Sequence, residues 1–196
     1  MSVLAMGIAA GGVLVTFLPG ARNVAAGELA TYRSPLWKAL YFLVRGLFVM
    51  TRGIPELIMA MIVVFFFSPG IVPGAIALGL HNYGILGRLS AEVVENLDPR
   101  PARALRTAGA GTFQMLVFAI MPQALPQFLT YLLYRWEVVI RTTIVVGFVS
   151  AGGLGREFRL DMSFFRYTEI ALLLVWYIIL VVFVDLVSMY LRRLAR

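Results

Sequence analysis

The chain has no cysteine, one histidine, His81, and one lysine, Lys38. Without cysteine there is no disulfide, no thiolate nucleophile and no sulfur-ligated metal centre. A single histidine with scattered acids offers no convergent catalytic set and no metal site. Charge is scarce as well, at 14% of 196 residues, while 61% are hydrophobic and mean hydropathy is +0.89. That is too apolar for a soluble domain of this size, so the chain reads as an all-α integral membrane protein.

A net charge of +7 suggests nucleic acid only where bases cluster on a soluble surface. Here they stand between apolar stretches, where membrane orientation explains them, and no nucleic-acid partner is expected. About 20 apolar residues cross a bilayer as helix. Five spans are expected on that measure: 1–18, 54–68, 71–89, 122–148 and 167–191, the second and third joined by the turn Ser68-Pro69-Gly70. No base precedes the first apolar run and Arg22 follows it, so it reads as a span with the N-terminus outside rather than a signal peptide. Threading from there places the C-terminus in the cytoplasm. It leaves Arg22, Arg33, Lys38, Arg45, Arg52, Arg88, Arg100, Arg103, Arg106, Arg192, Arg193 and Arg196 inside, against Arg156, Arg159 and Arg166 in the long outer loop. The bias obeys the positive-inside rule.

Between the first two spans, Lys38, Arg45 and Arg52 recur every seven residues, the spacing of a helix lying in the inner interface with Trp37 and Tyr41 at headgroup level. Gly53 and Pro55 then break it. One long tilted spanning helix is the alternative. Glu56, beside Pro55, is expected to cap the second span, where a helix N-terminus favours an acid.

The most informative stretch is the basic island Asp98–Pro122. Asp98 can cap a helix opening on Pro99, with Ala102, Leu105 and Ala108 as a short apolar stripe, Arg100, Arg103 and Arg106 around its rim, and Gly109 and Gly111 as the stop. Such a short helix is marginal alone and holds its shape by docking, here with the stripe pressed into a partner's groove. An ordinary loop is the other reading.

The island's spacing resembles the signature loop of binding-protein-dependent ABC importer permeases: Glu-Ala-Ala, three residues, Gly, nine residues, Ile-x-Leu-Pro. This chain has Arg103-Ala104-Leu105, Gly109 and Ala119-Ile120-Met121-Pro122, with Arg103 where the signature has Glu. Further segments, RGIPEL from Arg52, GLHNYGILGRLSAEVVE from Gly79, LPQFLTYLLYRWEVVIR from Leu125 and SAGGLG from Ser150, look like the permease subunit of phosphonate and phosphite importers. The resemblance implies a type I ABC importer permease fold, a single membrane domain over 1–196 whose coupling loop covers about 98–121. It implies a second permease copy, identical or paralogous, two cytoplasmic ATPase subunits, an extracytoplasmic solute-binding protein and a phosphorus oxyanion as solute, all at a bacterial inner membrane. The chain has no Gly-x4-Gly-Lys-Ser/Thr loop, so it needs no cofactor of its own, and ATP and magnesium belong on the partner ATPase.

Ionisable groups inside the fourth and fifth spans bear on the solute, since a charge at the bilayer centre costs roughly 2.5–3.5 kcal/mol even on lenient scales. Glu137 and Arg141, four apart, can pair along one face, leaving Arg135 without a local partner. Arg135 either offers its planar fork to an oxyanion or pairs structurally, with Asp185 or with Glu137 of the second copy. His81 and Asn82 interrupt the third span and read as interhelical glue rather than a proton relay. Gly152, Gly153 and Gly155 lack nucleotide-fingerprint spacing and are expected in a flexible outer loop near the gate, beside Arg156, Glu157, Arg159 and Asp161. Phe164, Phe165, Tyr167, Trp176 and Tyr177 are expected as interfacial anchors. A secondary transporter would show inverted repeats, which are absent here.

Overall fold

The computed structural model describes residues 1–25 and 35–194, and every regular element among them is helical. Arg33 and Arg196, counted above among the inside bases, lie outside the described residues. In chain order the helices are α1 (Ser2–Thr16), α2 (Arg22–Ala25), α3 (Pro35–Gly53), α4 (Glu56–Phe67), α5 (Ile71–Glu95), α6 (Arg100–Thr107), α7 (Thr112–Met115), α8 (Met121–Val146), α9 (Leu154–Ser163) and α10 (Tyr167–Leu194). A π-helical turn, Leu116–Ile120, joins α7 to α8, and another, Gly147–Ala151, extends α8.

α5 is the centre of the bundle and packs against α1, α3, α4 and α8. Its small residues are the reason. A Cβ on Gly84 would lie 2.2 Å from Thr51 Oγ1 and 2.8 Å from the Arg52 backbone nitrogen, and one on Gly87 would lie 2.2 Å from the Phe48 ring. Small residues of this kind let helix backbones approach where lipid removes the hydrophobic drive to associate. The Phe48 ring, buried in this contact, meets Tyr83 edge-on with centroids 5.3 Å apart.

α3 and α4 are bent by 96° at Ile54-Pro55, so they form no straight helix and are either one broken span or a re-entrant pair. Pro55 has no N–H to continue the ladder, and His81 Nδ1 lies 3.0 Å from the Ile54 carbonyl oxygen; because a carbonyl only accepts, that nitrogen carries the proton. The basic face of α3 is not uniform. Arg45 turns inward to form an ion pair with Glu95, its Nε donating to the Gly20 carbonyl at 2.8 Å, while Lys38 and Arg52 stay exposed.

Thr112–Val149, continuous through α7 and α8, and Tyr167–Arg193 are long and apolar enough to cross a membrane, and the bent pair α3–α4 adds a third if counted as one broken span. α1 is apolar but has 15 residues, and α4 has 12. α5 runs unbroken through His81 and Asn82, contrary to the interruption expected there, and both polar groups find partners, Asn82 Nδ2 on the Leu78 carbonyl at 2.7 Å and His81 Nδ1 on the Ile54 carbonyl at 3.0 Å. Two stretches expected as loop are helical. Residues 112–121 are the opening turns of the long helix, carried past Pro122 by the π turn and by Gln123 Nε2 on the Ala119 carbonyl at 2.7 Å. Residues 154–163 form α9.

Candidate functional site

The basic island folds as a capped helix. Asp98 Oδ1 accepts the Arg100 backbone N–H at 3.0 Å. At the other end Gly109 N–H donates to the Arg106 carbonyl and Ala110 N–H to the Leu105 carbonyl, both at 3.0 Å, with Gly109 at φ +83°. That pairing is a Schellman stop, in which glycine takes the left-handed position without a Cβ penalty. Gly111 N–H then donates to Gln114 Oε1 at 2.9 Å, starting the next helix.

The apolar stripe is split: Ala108 faces outward as expected, whereas Ala102 and Leu105 do not. Ala102 is buried and Leu105 half-buried against the chain's own core, because α6 folds back on the π turn at Leu116–Ile120. The outward face carries Arg103, Ala104 and Gly109, with Pro122 exposed on α8. A partner of this helix would therefore meet its basic, small-residue side.

The ionisable groups of the long helices separate into two sets. Arg135, on α8, places both Nε and Nη2 on Asn82 Oδ1 of α5, at 2.9 and 2.7 Å. Asn82 is wholly buried, and the N-terminus of α4, which opens on Glu56, has no side-chain capping hydrogen bond, contrary to the cap expected there. Arg135 thus ties α8 to α5, and its hydrogen bonds go to Asn82 rather than to Asp185. The second set joins α8 to α10. Glu137 Oε1 accepts from Arg141 Nη2 at 2.5 Å, its Oε2 lies 3.3 Å from both Arg192 Nη1 and Nη2, and Asp185 Oδ1 sits 3.6 Å from Arg141 Nη2. The Glu137–Arg141 pair was legible from its spacing of four. Arg192 was not, being 55 residues away, and nothing local marked Asn82 as the partner of Arg135.

Of the three glycines, Gly152 and Gly155 are closely packed, while a Cβ on Gly153 would meet nothing within 4 Å. Gly152 and Gly153 adopt φ +79° and +74°, conformations open to glycine at little cost. Gly155 lies in the first turn of α9, where a Cβ would fall 2.1 Å from the Ile144 carbonyl oxygen. Gly152 and Gly153 border a cavity of about 690 Å³, open to solvent, with Pro69, Gly70, Arg156, Glu157 and Arg159 around it. Arg159 Nη1 donates to the Phe148 carbonyl at 3.0 Å, fastening α9 to the end of α8. Among the described residues no three His, Asp or Glu side chains converge as a metal site.

Residues 24–195 match the family of binding-protein-dependent transport system inner membrane components. The chain is 38% identical over 193 residues to the phosphite transport system permease protein PtxC of Stutzerimonas stutzeri, covering 98% of this chain and 68% of that protein. It is 37% identical over 145 residues to the putative phosphite transport system permease protein HtxE of the same organism, covering 74% of this chain and 56% of that one. Among solved structures, the MetNI methionine ABC transporter in inward-facing conformations superposes with a TM-score of 0.71 at 19% identity, over 100% of this chain and 94% of the matched chain. That likeness establishes a shared fold. With the family match spanning α3 to α10, the chain belongs to the binding-protein-dependent transport system inner membrane components.

Proposed function

We propose that this chain is the permease subunit of an ATP-binding-cassette importer and forms half of the membrane pathway for phosphite, phosphonate or a related phosphorus oxyanion. The observation that carries the solute class is similarity to a phosphite permease along 98% of the chain. In this reading α1, the bent α3–α4 unit, α5, α8 and α10 make five membrane passes of type I importer form, with the N-terminus outside and the C-terminus in the cytoplasm. A second permease copy, identical or paralogous, completes the pathway. An external binding protein delivers the solute, and two ATPase subunits holding ATP and magnesium supply the energy. The chain itself is a transport subunit rather than a catalyst.

Coupling runs through α6. The Schellman stop at Gly109 holds a rigid, outward-facing Arg103–Ala104 surface at one end of the long α8 helix, so a push on α6 moves α8 as a lever. Replacing Gly109 with Val puts a β-branched residue at φ +83°, which is sterically disfavoured. Uptake is expected to be lost while membrane insertion is retained; unchanged uptake removes α6 from the coupling path.

The solute is tested by measuring ATP turnover of the reconstituted complex with its binding protein, comparing phosphite, phosphonates, phosphate and amino acids. Stimulation by a phosphorus oxyanion is the expected result. Stimulation by amino acids alone replaces the oxyanion reading with that of an amino-acid importer.

A further inference from the structure

We propose that the face of α8 and α10 carrying Tyr134, Arg141 and Asp185 borders water rather than lipid, and that Arg141 is the guanidinium that meets the transported anion. The anion's identity rests on the reading given above; the aqueous face does not. Arg141 and Asp185 stand on the two helices long and apolar enough to cross a membrane, yet their side chains are 48% and 42% exposed. Charged groups left open on such helices face a water-filled cavity or protein, because hydrocarbon penalises them.

Arg135 is a poor candidate for the same task, since both its Nε and its Nη2 are spent on the buried Asn82. Arg141 is engaged through Nη2 alone. Its contact with Asp185 is loose: 3.6 Å is beyond hydrogen-bond length, and Asp185 Oδ1, itself buried, has no hydrogen-bond partner among the described residues. An incoming oxyanion can therefore take the place of the Asp185 carboxylate on Arg141 while Glu137, bonded to both Arg141 and Arg192, keeps the guanidinium oriented. Tyr134 lies seven residues before Arg141, on the same side of α8, and is 54% exposed, so its hydroxyl can donate to the same anion.

The absence of cysteine makes the test direct. Arg141→Cys, Asp185→Cys and Tyr134→Cys are each assembled with the partner subunits in liposomes and treated with a membrane-impermeant, sulfonate-bearing thiol reagent, modification being read as a mass shift on this chain. Trp176→Cys is the reference: expected from the sequence as an interfacial anchor, Trp176 lies nine residues inside the 27-residue span Tyr167–Arg193, at hydrocarbon depth, nine residues from Asp185 on the opposite side of α10, and is 64% exposed. Labelling at the three test positions is expected to exceed that at Trp176→Cys by at least about tenfold, since an ionised thiol and an anionic reagent are both excluded from hydrocarbon. Phosphite with binding protein and ATP is expected to slow labelling at Tyr134→Cys, which keeps Arg141, and to lose that effect when Arg141→Leu is added. Labelling no faster than at Trp176→Cys overturns the aqueous face. Fast labelling at Tyr134→Cys that no solute slows, or that phosphite slows equally with Arg141→Leu added, overturns the role of Arg141 in meeting the anion, whereas slowing by an amino acid and not by phosphite keeps that role and sinks the oxyanion reading. Should the ion-pair variants fail to assemble, Tyr134→Cys, which breaks no ion pair, decides the first point.

Discussion

α5 and α10 are both long helices in an apolar chain, yet their apolarity ranks them in the wrong order for burial. α10 is the more apolar, and its Leu172, Val175, Trp176, Ile179 and Phe183 are exposed; α5 carries His81, Asn82, Arg88 and Glu92 and is the most enclosed helix of the fold. The difference shows what each composition does. Lipid tails solvate Leu and Ile as well as a protein core does, so extra apolar side chains bring a helix into the membrane without attaching it to a neighbour. Glycine, alanine and a few satisfied polar groups do the attaching.

The largest effect is therefore expected at a glycine of α5. Gly84→Leu forces a side chain into the backbone of α3 beside Arg52, and overpacking of this kind costs at or above about 3 kcal/mol. The yield of folded permease in detergent should collapse; normal yield breaks the contrast. Next comes the polar attachment. Asn82→Leu leaves the Arg135 guanidinium without its acceptor, a loss of about 2 kcal/mol for a hydrogen bond to a charged group, read as a lowered melting temperature. Asn82→Asp, which still accepts both N–H groups, should lose far less, and equal damage from the two variants would detach Arg135 from this role. The smallest effect belongs to α10. Leu174→Ala on its exposed surface should shift stability within about 0.5 kcal/mol; a larger shift means another protein covers that surface.

The features legible from the chain were those built from neighbours in sequence. Asp98 and Gly109 delimit α6, Glu137 and Arg141 pair across one helical turn, and Gly53 with Pro55 marks the bend. Features that needed distant partners were missed or assigned to the wrong side. The stripe Ala102–Leu105 turned inward because α6 folds back on the π turn at 116–120, a contact no periodicity encodes. Arg45, spaced like an interfacial base, was drawn in by Glu95 fifty residues away. At the glycines near 152 the sequence marked a loop but not the close approach of Gly152 to Ile71 and of Gly155 to Ile144.

Composition and local chemistry determined by themselves that this chain is helical and membrane-embedded, where its capped basic helix begins and ends, and which family it resembles, because hydropathy, capping and motif spacing act within a few turns of helix. Only the tertiary structure decided that Arg135 is bound to Asn82 while Arg141 remains open beside Asp185. Those choices depend on the register of α8 against α5 and α10, and that register follows from which small residues let helix backbones touch.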